Sequence, residues 1–390
     1  MENGVVIAGI ARTPMGGMQG VLSAVAAPKL GATAIKAALE RAGIQPEQVD
    51  ETIMGVVLPA GLGQAPARQA SLGAGIPVSA DCTTVNKMCG SGMKAVMFGH
   101  DAIMAGSATI VATGGMESMT NAPYLLPKVR SGLRLGHGEV LDHMFFDGLE
   151  DAYERGRLMG TYAEDCARKY SFTREAQDAY AIESLKRAQH AITSGAFKAE
   201  IVPVTVKEGV VVDTDEQPGK AKLDKIPQLK PAFAKDGTVT AANSSSISDG
   251  AAAVILTSAQ HAQKLGIKPL ARILAHASHA QEPGWFTTAP VSAIQKVLKK
   301  VGWTVGDVDL FEVNEAFAVV AMAAMKELSI PHDKLNIRGG ACALGHPVGA
   351  SGARIIVTLI HALKDKGLKR GVASLCIGGG EATAVAIELL

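Results

Sequence analysis

The 390-residue chain lacks several features that would assign it to common classes of protein. Its five cysteines are an odd number without a Cys-x-x-Cys pair, so the pattern predicts neither a disulfide framework nor a zinc site. No run reaches the roughly 18 apolar residues that a membrane helix needs. The 38 basic and 37 acidic residues nearly cancel, which gives no general attraction to nucleic acid or to an anionic membrane.

Targeting signals are also missing. The start, M-E-N-G-V-V-I-A-G-I, has neither a basic segment with a cleavage site nor an Arg- and Ser-rich transit sequence. Cysteines without a pairing pattern fit a reducing compartment, so we expect a cytoplasmic protein. At 47% hydrophobic and 19% charged residues, the chain is expected to fold into two or three domains.

The most informative residue that is present is Cys89, in the run N-K-M-C-G-S-G at 86–92. A cysteine followed by Gly-Ser-Gly and then M-K-A-V is typical of a tight turn that opens a helix. The N-terminus of a helix carries partial positive charge, which is expected to lower the pKa of the thiol and make it a nucleophile. A buried structural cysteine explains the run about equally well.

Three segments in the C-terminal third break this tie. His346 lies in R-G-G-A-C-A-L-G-H-P-V-G-A-S-G-A-R, and Cys376 ends the apolar run of S-L-C-I-G-G-G-E. Asn314 and Glu315 follow a strand-like run in F-E-V-N-E-A-F-A. Each segment alone is better explained by turn glycines, a helix cap or a core histidine. Together they predict a nucleophile, a base, a second acid/base and an amide donor on loops at strand ends.

An internal repeat predicts the architecture. Apolar and glycine positions of 34–50 recur at 293–309, at a constant offset of 259, and both copies indicate a helix, a glycine stop, a turn and a strand. Gly-Ser-Gly at 90–92 likewise matches Ala-Ser-Gly at 350–352. The alternation predicts α/β layers with largely parallel strands and with the reactive turns at the carboxyl ends of the strands.

These motifs resemble those of the thiolase family, and most closely its acetyl-CoA acetyltransferase type, over nearly the whole chain. The carrying motifs are N-K-M-C-G-S-G, G-T-V-T-A-A-N-S-S-S-I-S-D-G-A-A-A, N-E-A-F, G-G-A-C-A-L-G-H-P-V-G-A-S-G and C-I-G-G-G. The resemblance implies an α/β thiolase fold, with two duplicated halves in five αβαβα layers. The implied domains are an N-terminal half (1–119 and 249–268), a loop domain (120–248) and a C-terminal half (269–390).

The resemblance also implies roles for the reactive residues. Cys89 would attack a thioester and carry the acyl group, while His346 takes its proton. Cys376 would deprotonate the methyl group of a second acetyl-CoA. Asn314, through a water, would join His346 at the enolate oxygen. The backbone N–H groups of Cys89 and Gly378 would stabilise the other oxyanion. No metal or permanently bound cofactor is implied, since coenzyme A enters as the substrate thioester.

Further positions are implied to bind coenzyme A and the acyl group. Ser245 and Ala241 would contact the pantetheine, and the tunnel walls would be Leu149, Met159, Phe233 and Phe317, with Phe286 beside the acyl group. The loop domain is expected to contain a helix over 175–193 that begins after Thr173. Its basic, glycine-rich run at 129–138 lies where this family makes tetramer contacts, so a dimer or a dimer of dimers is expected.

Three departures from the family pattern put the acyl length in doubt. Leu158 and Phe286 replace the usual His and Met, and Glu381 follows C-I-G-G-G. A more apolar tunnel favours short-to-medium 3-ketoacyl-CoA, although Phe286 could instead fill the pocket. Two rival functions are a β-ketoacyl synthase, which would lack the second cysteine, and a catalytically silent scaffold, which would be expected to lose the reactive groups.

Overall fold

The computed structural model describes residues 4–390, with the backbone alone at position 208, so the first three residues of the predicted N-terminal half lie outside it. Within this range the strands are β1 (Val5–Arg12), β2 (Gly16–Gly17), β3 (Glu51–Gly55), β4 (Asp81–Val85), β5 (Ile110–Ser118), β6 (Tyr124–Leu125), β7 (Leu141–Asp142), β8 (Val204–Thr205), β9 (Val211–Val212), β10 (Ser248–Ser258), β11 (Ala271–Ala280), β12 (Leu310–Val313), β13 (Arg370–Ile377) and β14 (Glu381–Leu389).

The helices of the same range are α1 (Ala27–Ala42), α2 (Pro66–Gly73), α3 (Ser91–Ala105), α4 (Met159–Tyr170), α5 (Arg174–Thr193), α6 (Glu216–Lys220), α7 (Ala259–Lys264), α8 (Ala289–Val301), α9 (Ala318–Leu328), α10 (Ala341–Leu344) and α11 (Ser351–Lys366). None of the described helices is both long enough and apolar enough to cross a membrane.

The strands form two half-sheets. The N-terminal half-sheet has the order β1-β10-β5-β3-β4, and the C-terminal one has the order β12-β13-β14-β11. They join through a short antiparallel pairing between β1 and β11. Only β3–β4, β3–β5 and β12–β13 pair in parallel among the described strands. The expectation of largely parallel strands is therefore wrong, because β10, β11 and β14 each return antiparallel beside their neighbours.

The layers follow the predicted αβαβα order. Helices α1 and α2 cover the outer face of the N-terminal half-sheet, and α8 covers that of the C-terminal one. Helices α3 and α11 contact each other and strands of both half-sheets, which makes them the central layer. The hydrophobic cores lie on either side of this layer.

The duplication predicted at an offset of 259 is visible in the backbone. Helices α1 and α8 both end at a left-handed glycine, Gly43 with φ +68° and Gly302 with φ +73°. A short 3-10 turn follows each of them, at Pro46–Gln48 and Val305–Asp307, and a strand then begins at Glu51 or Leu310. Glycine adopts this conformation without the steric cost that a Cβ atom brings.

Glycines of the two matched triplets allow the central helices to cross in backbone contact. A Cβ atom on Gly352 would lie 2.4 Å from the backbone nitrogen of Met93, and one on Gly92 would lie 2.9 Å from the carbonyl oxygen of Gly349. Glycines after a reactive cysteine are expected to bring the backbone close to a ligand. At Gly92 the close neighbour is instead the other half of the fold.

The region predicted as a loop domain contains α4, α5, α6 and two small hairpins, β6–β7 and β8–β9. Helix α5 begins after Thr173, whose hydroxyl accepts a hydrogen bond from the backbone N–H of Ala176, as the sequence predicted. The domain boundaries themselves stay a prediction.

Candidate active site

A largely apolar cavity of about 370 Å³ lies where the two halves meet the loop region. Eleven of the twelve residues that the sequence nominated line it: Cys89, Leu149, Met159, Phe233, Ala241, Ser245, Phe286, Phe317, His346, Cys376 and Gly378. The twelfth, Asn314, lies behind the wall. Apolar side chains that the sequence did not single out complete the lining, among them Phe145, Ile247 and Val348.

The loop before α3 holds Cys89 rigidly. Met88, directly before it, has φ +47°, a left-handed conformation that is uncommon for a residue with a side chain and is often found at functional sites. The Ser91 hydroxyl accepts from the backbone N–H of Lys87 at 2.8 Å and donates to the carbonyl of Met88 at 2.7 Å. The first turn of the helix therefore fixes the loop that carries the sulfur.

The expectation that the helix N-terminus lowers the pKa of Cys89 is wrong. Burial raises the pKa of this thiol to about 11, although the backbone N–H groups of Gly378 and of Cys89 itself hydrogen-bond the sulfur and favour the thiolate. Desolvation outweighs these bonds because the cavity is apolar. Cys89 is therefore a thiol at neutral pH and needs a base.

His346 has the protonation state of a base. Burial, with a smaller contribution from Arg354, lowers its pKa to about 3, so the imidazole is neutral. Its Nδ1 lies 2.6 Å from the Ser351 hydroxyl, which itself donates to the carbonyl of Pro347. Since the only Ser351 hydroxyl proton is used there, Nδ1–H must donate to Ser351, and Nε2 keeps its lone pair.

Asn314 and Glu315 directly follow β12, and their side chains point to opposite sides of the chain. The Asn314 side chain is 1% exposed, and its amide nitrogen lies 3.5 Å from both ring nitrogens of His346. Glu315 points away from the cavity into the loop region, where its carboxylate accepts hydrogen bonds from Tyr180, Ser184 and Asn336. Glu315 is therefore a structural anchor for α5.

Cys376 is the penultimate residue of β13 and is 1% exposed. Burial, with a smaller contribution from the nearby Cys89, raises its pKa well above the usual value, so it is protonated at neutral pH. In the following turn Gly380 has φ +87°, and a Cβ atom there would lie 2.3 Å from the carbonyl of Gln281. At Gly378 the nearest atom is Met159 Sδ, at 3.6 Å from such a Cβ, so the protein leaves room for a ligand there.

The acyl side of the cavity has a fixed aromatic wall. Phe286 is 3% exposed and packs edge-to-face against Tyr162, with ring centres 6.2 Å apart. Tyr162 in turn lies under the guanidinium of Arg157, at 3.8 Å. Phe286 thus lies in the cavity wall, packed against Tyr162.

Two further contacts join the catalytic loops of the two halves. The buried carboxylate of Glu117 accepts from the backbone N–H groups of Val57, Leu58 and Gly349, and burial raises its pKa to about 7. Lys87 forms an ion pair with Glu381, which links the Cys89 loop to the Cys376 turn. The unusual Glu381 thus has a structural partner.

Sequence reasoning missed Ser351, Glu117 and the pairing of Glu381. The matched Gly-Ser-Gly and Ala-Ser-Gly triplets were a usable signal for Ser351, because Ser91 and Ser351 make equivalent bonds at the start of their helices. No sequence pattern indicated the role of Glu117, since its partners are backbone groups that are distant in the sequence.

A possible metal-ligand cluster lies away from this cavity. His100, Asp101 and His276 bring their ligand atoms within 4.8 Å of one another. However, one Asp101 oxygen is already bonded to both rings, at 3.1 and 2.9 Å. The charge of Lys300 also acts on His276 and would oppose a cation. The cluster is therefore explained by the hydrogen bonds between Asp101 and the two imidazole rings.

Comparison with known proteins identifies the family. Residues 5–260 match the N-terminal domain of thiolase, and residues 267–389 match the thiolase C-terminal domain. The chain therefore belongs to the thiolase family, and the predicted fold class is confirmed. It is an acyltransferase, as the sequence predicted.

Full-length relatives are similar along the whole chain. A probable acetyl-CoA acetyltransferase from Dictyostelium discoideum is 51% identical, with 99% of this chain and 94% of the relative covered. Acetyl-CoA acetyltransferase 2 from Arabidopsis thaliana is 52% identical, with 99% and 97% covered. Among solved structures, the Acat5 thiolase from Ascaris suum in complex with coenzyme A is 45% identical, with a TM-score of 0.95 and coverages of 99% and 100%. The acetyl-CoA acetyltransferase of Bacillus anthracis is 41% identical, with a TM-score of 0.97 and coverages of 100% and 99%.

The raised pKa of Cys89 predicts the pH dependence of its alkylation. Because only the thiolate reacts, the rate of modification by iodoacetamide should rise about tenfold per pH unit from about pH 7 to about pH 10. Peptide mass spectrometry identifies the modified cysteine, and a Cys89→Ala variant is the control. A rate that levels off below about pH 8 would contradict so high a pKa for this thiol.

Proposed function

We propose that this chain is a thiolase that condenses two acetyl-CoA to acetoacetyl-CoA and, in reverse, cleaves short-to-medium 3-ketoacyl-CoA. The observation that carries the proposal is the shared cavity of Cys89, His346, Cys376 and Gly378. The relatives named as acetyl-CoA acetyltransferases and the coenzyme A complex of the Ascaris thiolase support the choice of substrate.

In the first half-reaction the Cys89 proton passes to Nε2 of His346, and the sulfur attacks the thioester carbonyl. The N–H groups of Cys89 and Gly378, which converge on the sulfur, stabilise the oxyanion. One such donor is typically worth about 2.7–4 kcal/mol of the barrier. The intermediate expels the coenzyme A thiolate, which takes the proton from His346 and leaves an acyl group on Cys89.

In the second half-reaction Cys376, acting in its minor thiolate form, removes a proton from the methyl group of a second acetyl-CoA. His346 and Asn314, through a water, stabilise the enolate oxygen. The carbanion attacks the acyl-Cys89 carbonyl, and Cys89 leaves as a thiolate that takes the methyl proton from Cys376. In the thiolysis direction Cys376 supplies a proton to the departing enolate, a role that suits a thiol kept protonated by burial.

The lining of the cavity supports acyl chains longer than acetoacetyl. Leu158 and Phe286 make the tunnel more apolar, and Phe286 is held in the wall by Tyr162. Each methylene buried there adds up to about 0.8 kcal/mol. Ser245 and Ala241 lie on the same cavity, where the resemblance puts the pantetheine.

Three further expectations stay predictions from the sequence and the resemblance. The first is that no metal or cofactor is permanently bound, since coenzyme A thioesters bring their own reactive sulfur. The second is a cytoplasmic location, and the third is a role in fatty acid metabolism.

Acylation of Cys89 tests the mechanism. After mixing with acetyl-CoA alone, mass spectrometry should show one acetyl group per chain, absent in Cys89→Ala and retained in Cys82→Ala. Cys376→Ala should still acylate but should lose both condensation and exchange of the acetyl methyl protons with deuterated solvent. An unacetylated wild-type protein would support the silent scaffold instead, and a Cys376→Ala variant with full exchange would refute the role of Cys376.

A chain-length series tests the substrate range. We expect kcat/KM in thiolysis to be at least as high for 3-ketohexanoyl-CoA as for acetoacetyl-CoA, because the apolar lining favours each additional buried methylene. A surface variant, Phe98→Ala, should leave this ratio unchanged. A steep fall toward the longer substrate, restored by Phe286→Ala, would show that Phe286 fills the pocket.

A homodimer, or a dimer of dimers, is supported by two exposed features. Strand β4 is the edge strand of the N-terminal half-sheet, and its residues are largely exposed. The 124–140 segment exposes several apolar side chains, with Leu135 96% exposed. Exposed strand edges and apolar patches are typical of protein interfaces. A monomeric mass in light scattering would refute this proposal.

A further inference from the structure

Arg354 is a fully buried cation behind the catalytic wall. It lies in the first turn of α11, three residues after Ser351, and is 1% exposed. Its Nη1 lies 3.5 Å from Glu312 Oε2, yet has no hydrogen-bond partner among the described residues. A buried charge with incomplete pairing costs stability, and an apolar side chain of similar size often packs better. Its presence therefore calls for another explanation.

The second contact of Arg354 explains why this buried cation is present. Its Nη2 lies 3.4 Å from Oδ1 of Asn314, whose Nδ2 lies near both ring nitrogens of His346. A guanidinium group has only donors, so it can face only the oxygen end of the amide. Turning the amide over would bring its NH2 group against the guanidinium, two donors in a buried place. Arg354 therefore determines which end of Asn314 points toward His346.

This orientation matters for the reaction proposed above, on which the inference rests. Only the NH2 end of Asn314 can donate to the water at the enolate oxygen. His346, in contrast, is held by Ser351, so its orientation during acylation does not require Arg354. We infer that Arg354 is a positioning residue for enolate formation, which holds the amide of Asn314 with its NH2 end toward the reaction centre.

The two half-reactions separate this role from a merely structural one. Arg354→Met removes the donors at similar length, and Arg354→Lys keeps a cationic donor on a shorter side chain. In Arg354→Met, exchange of the acetyl methyl protons should fall about tenfold or more, as expected when an oxyanion donor is misplaced. Acylation of Cys89 by acetyl-CoA should change less than about threefold. Arg354→Lys should recover part of the exchange.

Two controls sharpen the test. Ser351→Ala, which removes the anchor of His346, should slow both half-reactions. In the Asn314→Ala background, Arg354→Met should reduce exchange no further, because Arg354 acts through that amide. Equal loss in both half-reactions of Arg354→Met at an unchanged melting temperature, or additive effects in the double variant, would overturn the inference.

Stability and the proposed function can be judged separately. If Arg354→Met does not fold, the test uses Arg354→Lys. The rate of methyl-proton exchange divided by the rate of Cys89 acylation should then be lower than in the wild-type protein, and an unchanged ratio would contradict the inference. If the wild-type protein fails to acetylate Cys89, the proposed function itself fails. A wild-type protein that acetylates and exchanges normally, with a ratio independent of residue 354, refutes only the role of Arg354.

Discussion

Desolvation of the catalytic groups is the constraint on which the site depends. The same apolar surroundings raise the pKa values of Cys89 and Cys376 and lower that of His346. All three groups are therefore neutral at rest, and no ion pair has to be broken before substrate binds. The charges that appear during the reaction must then be stabilised by fixed donors, and backbone N–H groups cost no reorganisation when the charge develops. This is why glycine-rich turns, and not charged side chains, surround the sulfur atoms.

Fixed donors require a rigid frame, and the duplicated fold supplies it. The central helices α3 and α11 cross in backbone contact at Gly92 and Gly352. Each helix begins with a serine, Ser91 or Ser351, that fixes the catalytic loop before it. The crossing brings the nucleophile of one half beside the base of the other, and Glu117 ties the His346 loop to the N-terminal half.

The sequence predicted much of this architecture but not its electrostatics. Cys89, His346 and Cys376 were found because reactive residues in glycine-rich turns leave a local pattern, and the repeat was found because Gly43 and Gly302 end equivalent helices. The pKa shift of Cys89 was predicted in the wrong direction, because the helix terminus is a local feature whereas burial depends on the whole fold. The parallel arrangement was overestimated because strand direction is set by pairings distant in the chain. Glu117 and Arg354 were missed for the same reason.

The two residues after β12, Asn314 and Glu315, show how one short motif can serve both catalysis and the packing of the loop region. Neighbouring residues in an extended segment point in opposite directions. Asn314 can therefore face His346 while Glu315 faces Tyr180 and Ser184 on α5. A carboxylate buried in this way needs several donors, and α5 provides two of them. The hydrogen bonds that the buried Glu315 carboxylate needs thus hold the loop region against the C-terminal half. Because Met159 and Phe233 of that region line the cavity, the contact that satisfies Glu315 also helps to keep water from the site in which Asn314 is proposed to act.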